Sequence, residues 1–394
     1  GFDTEALKEN INKIVARAIR KKAMPGCRIL VAKSGKVIFN EAYGHFTYDK
    51  TTSIKQHHLY DLASITKVAA TTLAAMRLYE DGKIHNINDP ISRYLGNKTT
   101  EGERSRIKNI KLRYLLTHRS GLPPSFPIID YVRIKDRLSQ EYLDYYSHQP
   151  EGRYTVKVTD NLFLKKDMHK ELWHDVQRSK VSRSRSFHYS DLNFYILQKI
   201  IEKRTHQSLD NYLKKEFYQP LGLQTLTFNP LETISKNQIV PTENDKKWRD
   251  ELLHGYVHDE AAAFLGGVSG HAGLFGRAED LAVIGQLLLN KGIYGNRRYL
   301  ETETVEFFTG DGHGNHRGLG FDRKTRKGGP GCYYRAGKNT YGHSGYTGTC
   351  FWVDPENELI YVFLSNRVHP NKKNDKLMKL KTRESIHRAI YKAL

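Results

Sequence analysis

The stretch Leu62-Ala63-Ser64-Ile65-Thr66-Lys67-Val68-Ala69-Ala70 decides the interpretation of this chain, and it continues with few polar residues to Met76. This pattern predicts the first turns of a buried helix. Ser64 and Lys67 are three residues apart and therefore share one helical face. A helix N-terminus favours an oxyanion, and a lysine in a dry pocket tends to lose its proton. The pair therefore suits a covalent acyl-enzyme, although a capping serine beside an unrelated lysine is the alternative.

Size and composition indicate a globular protein of one large or two smaller domains, with 394 residues and 38% hydrophobic residues. We recognise no apolar run long enough to cross a membrane and no signal peptide, which leaves a removed leader or an upstream domain open. The three cysteines fit neither a disulfide framework nor a zinc ribbon. The net charge of +20 suggests an acidic partner such as cell wall, and simple solubility explains it equally well. We predict no nucleic-acid partner, because the basic residues are scattered and no recognition motif accompanies them.

The order of the predicted elements favours an α/β fold. Predicted helices cover residues 4–20, 191–203, 209–217, 278–290 and 374–393, and predicted strands cover residues 27–32, 36–43, 348–354 and 359–365. Strands at both ends with helices between them imply one antiparallel sheet built from both termini. We therefore predict a sheet region at 1–60 and 255–394, a mostly helical region at 61–254, and an active site between them.

Residues 125–185 are basic and rich in tyrosine. They suit either a flap over a polymer groove or a solvated helical insertion, and the insertion is favoured because exposed charge and tyrosine are common on surfaces.

Two further segments extend the hypothesis built on Ser64. In Tyr189-Ser190-Asp191, a tyrosine near a lysine would lose its proton more readily than in water. In the segment 341–349, glycines and small hydroxyl residues lead into a strand. Glycine there would let a substrate backbone approach the strand edge, where a backbone N–H can bind an oxyanion.

With these motifs the chain resembles the penicillin-recognising serine hydrolases, in particular class C β-lactamases, D-Ala-D-Ala carboxypeptidases and related esterases. The resemblance rests on Tyr60–Lys67, on Leu115–Pro123, on Tyr189-Ser190-Asp191 where the family has Tyr-x-Asn, and on His343-Ser344-Gly345 where it has Lys/His-Thr/Ser-Gly. The motifs occur in the family's order and spacing over nearly the whole chain. The resemblance implies a serine hydrolase with a β-lactamase-like fold, no cofactor and no metal.

The resemblance also implies roles for the individual residues. Ser64 would be the nucleophile, and Lys67 and Tyr189 would share the acid–base work. The backbone N–H groups of Ser64 and Tyr346 would form the oxyanion hole. The remaining residues expected to bind substrate or line its pocket are Asp191, His271, His343, Ser344 and Gly345.

Two departures from the family pattern argue against an efficient β-lactamase. Asp191 only accepts hydrogen bonds where the family's asparagine also donates, and it should keep Lys67 protonated, leaving Tyr189 as the base. His343 replaces a permanent cation by a group that titrates near neutrality and would bind a substrate carboxylate only at lower pH. Both changes suit a peptidase, amidase or esterase acting on a small ester or a D-amino-acid peptide derived from cell wall. A poor β-lactamase and a non-catalytic module that binds penicillin or wall peptides remain the alternatives.

A finer resemblance covers Tyr256–Glu260, Gly266–Phe275 and Ser365–Pro370. These segments are similar to the serine-hydrolase domain that follows a family 3 glycoside hydrolase domain in some Bacteroidetes-type cell-surface proteins. This implies a periplasmic, cell-surface or secreted protein that processes peptidoglycan-derived material. Zinc on the histidines of the same region is disfavoured, because the glycines around them argue against a stable helix that would converge the ligands.

Overall fold

The computed structural model describes residues 3–99, 101–126, 128–132, 134 and 139–394. The α-helices are α1 (Thr4–Arg20), α2 (Leu73–Glu80), α3 (Ser92–Leu95), α4 (Leu112–Leu116), α5 (Ile129–Val132), α6 (Gln140–Tyr145), α7 (Met168–Arg178), α8 (Leu192–Thr205), α9 (Leu209–Leu213), α10 (Glu260–Phe264), α11 (Ala278–Leu289), α12 (Thr302–Thr309), α13 (Lys376–Lys379) and α14 (Thr382–Ala393). Short 3₁₀ helices cover Ala63–Ile65, Pro230–Glu232 and Lys236–Gln238, and π-helical turns cover Lys67–Thr72 and Lys214–Tyr218.

The β-strands are β1 (Gly26–Lys33), β2 (Lys36–Gly44), β3 (Tyr60–Asp61), β4 (Tyr146–Ser147), β5 (Tyr154–Thr159), β6 (Leu162–Lys165), β7 (Thr227–Phe228), β8 (Asn244–Asp245), β9 (Glu251–Leu252), β10 (Leu274–Gly276), β11 (Ile293–Tyr294), β12 (Arg297–Arg298), β13 (Asp322–Arg323), β14 (Tyr341–Ser344), β15 (Cys350–Asp354) and β16 (Leu359–Ser365).

The central sheet joins the two ends of the chain. Its six strands follow the order β13-β14-β15-β16-β1-β2 and pair antiparallel throughout. β1 lies beside β16 with Cys27 opposite Ser365 and Lys33 opposite Leu359. The sheet built from both termini is thereby confirmed.

The sheet is covered on both faces because side chains alternate along each strand. Ile29 and Val31 of β1 pack in a core that includes apolar residues of α1 and α14, whereas Leu30 belongs to the larger core of the helical part. On that second face α11 approaches the sheet at Gly285, where a Cβ atom would lie 3.0 Å from Ile360 Cγ2. The result is a layered α/β architecture.

The segment 125–185 differs from the solvated helical insertion that we favoured. Its described part contains α5, α6 and α7 together with a three-stranded sheet in the order β4-β6-β5. Tyr142 and Tyr146 are buried in its core, exposed by 3% and 1%, so these rings do not form the surface of a flap. Within the described ranges, no helix has the length and apolar character that a membrane crossing requires.

Candidate active site

The turn that carries Ser64 is not the regular helix start that we predicted. It is a 3₁₀ turn followed by the π-helical turn Lys67–Thr72, and α2 begins only afterwards. Ala63 has a left-handed backbone with φ of +47°, a strained conformation for a residue with a Cβ. Its N–H donates to Asp61 Oδ1 at 2.8 Å, and its carbonyl accepts from Thr66 Oγ1 at 2.6 Å. These two buried hydrogen bonds hold the strained turn and thereby place Ser64.

Lys67 is completely buried, and its ammonium makes two hydrogen bonds and one ion pair. The Nζ atom lies 2.9 Å from Ser64 Oγ, 3.0 Å from the His271 carbonyl oxygen and 2.7 Å from Asp191 Oδ1. A neutral amine would lose the attraction of the Asp191 carboxylate. The site therefore favours the charged form of this lysine.

The pKa of Lys67 reflects two opposed effects. Burial acts to lower it, but the Asp191 carboxylate and Tyr189 outweigh burial, and the pKa is raised above its ordinary value. The prediction that a dry pocket makes Lys67 lose its proton is therefore wrong. The separate expectation that Asp191 keeps this lysine protonated agrees with the structure.

Tyr189 lies just before α8 and reaches the same oxygen. Its hydroxyl donates to Ser64 Oγ at 3.1 Å, and its ring stacks on His118 with 4.3 Å between centroids. His118 is itself fixed, because its Nδ1 accepts the Ser190 N–H at 3.1 Å. Burial, together with nearby cations such as Arg317, holds the pKa of His118 well below its ordinary value. His118 is thus a neutral platform for the tyrosine, a role that we did not predict for it from the Thr-His-Arg-Ser-Gly motif.

The chain after β14 is joined to the Ser64 turn. Thr347 Oγ1 donates to the Asp61 carbonyl at 2.8 Å, and Thr349 Oγ1 donates to the Leu62 carbonyl at 3.2 Å. A Cβ atom on Gly345 would lie 2.0 Å from Thr349 Oγ1 and 2.6 Å from the Leu62 oxygen. Glycine is therefore required at position 345 by the close approach of the Thr349 side chain and the Leu62 backbone. That glycine in this segment also admits a substrate backbone stays a prediction.

His343 is present at the site but does not supply the charge that we predicted. It is 2% exposed, and its Nδ1 lies 2.7 Å from the Ser344 carbonyl, which only accepts hydrogen bonds. Burial and the nearby charges of Arg317 and Lys67 hold its pKa well below the ordinary value. The expectation that His343 titrates near neutrality is therefore wrong.

We expected His271 to line the cavity next to Ser64. It lies beside the site but does not face that cavity. Its ring is 1% exposed, with Nε2 at 2.8 Å from Asp259 Oδ1 and Nδ1 at 2.7 Å from Ser269 Oγ. Only its backbone carbonyl reaches Lys67. In the part of the chain that the structure describes, no three potential ligands converge as a metal site would require.

Tyr346, the expected second oxyanion donor, has a ring held at the rim of the cavity. It stacks on His258 with 5.7 Å between centroids, and Arg367 lies 4.6 Å from the ring centroid. Although 53% of the residue is exposed, these two contacts fix its position and, with it, the adjoining backbone.

A cavity of about 600 Å³ opens beside Ser64. Of the residues expected at the site, it is lined by Ser64, Tyr189, His343, Ser344, Gly345 and Tyr346. Its charged lining consists of four arginines, Arg317, Arg323, Arg367 and Arg383, and one aspartate, Asp322. The cavity is therefore strongly cationic and favours an anionic ligand. Arg317 and Asp322 lie outside every motif that we singled out, and no signal in the sequence marks them.

Comparison with known proteins covers nearly the whole chain. The family model described as Beta-lactamase matches residues 11–382. An N-acetylmuramyl-L-alanine amidase of Bacillus subtilis (strain 168) is 32% identical over an alignment of 395 positions, which covers 93% of this chain and 82% of the relative. A "Putative D-alanyl-D-alanine carboxypeptidase" of Escherichia coli O157:H7 is 31% identical over an alignment of 400 positions, which covers 94% of this chain and 84% of that relative.

Among solved structures, EstCE1, described as a hydrolase with promiscuous acyltransferase activity, matches with a TM-score of 0.67 at 19% identity. The match covers 98% of this chain and 99% of that one, and it shows a shared fold. The predicted fold class is thereby confirmed.

Proposed function

Because this chain belongs to the Beta-lactamase family of serine hydrolases, we propose that it cleaves an amide bond in a peptidoglycan-derived peptide through an acyl-enzyme on Ser64. One observation carries the proposal: both the Lys67 ammonium and the Tyr189 hydroxyl hydrogen-bond to Ser64 Oγ, at 2.9 and 3.1 Å. The two relatives support the substrate class, since one is named an N-acetylmuramyl-L-alanine amidase and the other a putative D-alanyl-D-alanine carboxypeptidase.

In the proposed mechanism Tyr189 is the base and Lys67 stays charged. Tyr189 acts as a phenolate beside the Lys67 ammonium and takes the Ser64 proton as the serine oxygen bonds to the substrate carbonyl carbon. The carbon–nitrogen bond then breaks, and the same proton passes to the leaving amine. Water then attacks the carbonyl carbon of the acyl-enzyme and gives one proton to Tyr189. Tyr189 passes this proton to Ser64 Oγ as the ester bond breaks, which returns Ser64 to its hydroxyl form.

The carbonyl oxygen of the substrate would be held by two backbone N–H groups. That of Ser64 lies in the first turn of a 3₁₀ helix, where N–H groups lack an intrahelical acceptor. The N–H group of Tyr346 lies in the connection between β14 and β15, which is hydrogen-bonded to the Ser64 turn through Thr349. This shared attachment would keep the two donors at a fixed separation while negative charge develops on the oxygen.

The experiment offers the protein two peptidoglycan fragments and identifies the products by mass spectrometry. One is an N-acetylmuramyl peptide cleavable at the bond to L-alanine, and the other is a pentapeptide ending in D-Ala-D-Ala. We expect cleavage of at least one of them by the parent protein and of neither by Ser64→Ala. Intact mass after exposure to penicillin and turnover of nitrocefin test the poor β-lactamase alternative in parallel.

Binding of a fragment by the parent protein without any product would contradict the proposal and favour the non-catalytic module. The proposed substrate also supports a periplasmic, cell-surface or secreted location. The fusion to a family 3 glycoside hydrolase domain stays a prediction.

A further inference from the structure

Arg317 is a buried cation whose hydrogen bonds are incomplete. It lies between α12 and β13, is 1% exposed, and lines the cavity together with Ser64 and Tyr189. Its Nη1 pairs with Asp322. Its Nε and Nη2 have no hydrogen-bond partner among the residues that the structure describes.

The two incomplete groups lie on the same edge of the guanidinium. Nε–H and Nη2–H point in one direction, as the parallel pair that binds both oxygens of a carboxylate. Arg317 Cζ lies over the Phe187 ring, 5.6 Å from the ring centroid. Leaving buried donors without acceptors is costly, so this edge is suited to an acceptor that arrives with the ligand.

A second buried arginine, Arg249, has complete hydrogen bonds and serves as the comparison. Arg249 is 5% exposed, and its Nε donates to Asp245 Oδ2 at 2.8 Å. Its Nη1 and Nη2 donate to the carbonyls of Val257 and His258 at 2.7 and 2.9 Å. Every nitrogen of Arg249 therefore has a protein acceptor, in contrast to Arg317.

Arg317 also supplies the charge that His343 lacks. Burial lowers the pKa of Arg317 to about 10, which leaves it protonated at neutral pH. His343 is neutral there, and because its Nδ1–H donates to the Ser344 carbonyl, its Nε2 carries a lone pair that would repel a carboxylate.

We propose that Arg317 binds a carboxylate of the substrate through Nε–H and Nη2–H, and that this residue, rather than His343, makes the enzyme select anionic peptides. The proposal rests on the proposed function for its substrate class. It assigns recognition to a loop residue outside the His343-Ser344-Gly345 motif, where the family resemblance had placed it.

Binding is measured in the Ser64→Ala background, so that the test does not depend on turnover. The probes are N-acetyl-D-Ala-D-Ala with a free C-terminal carboxylate and the same dipeptide as its C-terminal amide, titrated by calorimetry. We expect the carboxylate form to bind about 10- to 100-fold more tightly, the range for a hydrogen-bonded charge pair.

That preference should disappear in Arg317→Gln combined with Asp322→Asn, which removes both charges and leaves no buried ion unpaired. Arg317→Lys, which keeps the charge and the partner but lacks the parallel N–H pair, should retain only part of it. The matched control is Arg249→Gln combined with Asp245→Asn, which should keep the full preference.

The inference is overturned if the Ser64→Ala protein binds both probes equally, binds neither at millimolar concentration, or keeps its preference in the Arg317→Gln, Asp322→Asn variant. Hydrolysis does not enter this measurement. A protein that prefers the carboxylate through Arg317 but cleaves no peptidoglycan fragment would contradict the proposed function alone.

Discussion

Replacing Asp191 by asparagine should reverse the balance that keeps Lys67 charged. The two groups are 2.7 Å apart, and at an effective dielectric constant of about 20 their attraction is at most about 6 kcal/mol. The lysine side chain is fully buried and the aspartate side chain 26% exposed, so solvent screens the pair only partly. Without Asp191, burial becomes the dominant effect and the pKa of Lys67 falls.

The consequence is a stability difference that depends on pH in a defined direction. In the parent protein the pKa of Lys67 is raised, so the residue is charged in the folded and unfolded states below pH 10 and contributes no pH dependence there. In Asp191→Asn the unfolded chain holds a proton on Lys67 that the folded protein releases above the lowered pKa. Relative to the parent protein, Asp191→Asn should lose about 3–5 kcal/mol of unfolding free energy at low pH. As the pH rises above the lowered pKa of Lys67, this loss should shrink by up to about 1.4 kcal/mol per pH unit.

The assay is urea unfolding of the parent protein and Asp191→Asn at four pH values between about 6 and 9. A second variant that combines Asp191→Asn with Lys67→Met removes the titrating group and should abolish the pH dependence of the difference. If Asp191→Asn alone loses the same free energy at every pH, Lys67 does not change its protonation when Asp191 is removed. The account of the charge balance at Ser64 would then be refuted.

Two further outcomes are expected from the geometry of the site. Lys67→Ala and Tyr189→Phe should each lower kcat by about 10²- to 10⁴-fold, and the double variant should lose little more, because both side chains bond one oxygen; losses that multiply in steady-state kinetics would mean separate roles. Gly345→Ala should lower the unfolding free energy by about 1–3 kcal/mol in urea, since its Cβ would overlap Thr349 Oγ1 and crowd the Leu62 oxygen. An unchanged midpoint would mean that this turn relaxes freely.

The fold was predictable because its signals are periodic. The apolar stripe of α1 and the continuous apolar runs of β15 and β16 are visible in the sequence, and the predicted bounds of all three lie close to those observed. The final helix was predicted as one element but is divided into α13 and α14 at Lys381, which has a left-handed backbone with φ of +49°. Such a break depends on tertiary contacts and leaves no pattern in the sequence.

At the site, the motifs predicted which residues lie together but not their protonation states. Ser64, Lys67 and Tyr189 converge as expected from the resemblance. The neutrality of His343 could not be predicted, because it depends on burial and on a cation 26 positions earlier, Arg317. Arg317 itself belongs to an irregular glycine-rich loop, where neither periodicity nor a motif marks a buried residue.

The hydroxyl groups of Thr347 and Thr349 reach carbonyls that stand 286 and 287 positions earlier in the chain, directly before Ala63. During synthesis the ribosome therefore completes the nucleophile and its lysine long before the residues that brace them exist. A chain that stops before position 347 carries Ser64 and Lys67 but lacks both braces. In such a chain the strained turn keeps its local bonds to Asp61 and Thr66, and it gains its long-range support only when the C-terminal strands join the sheet.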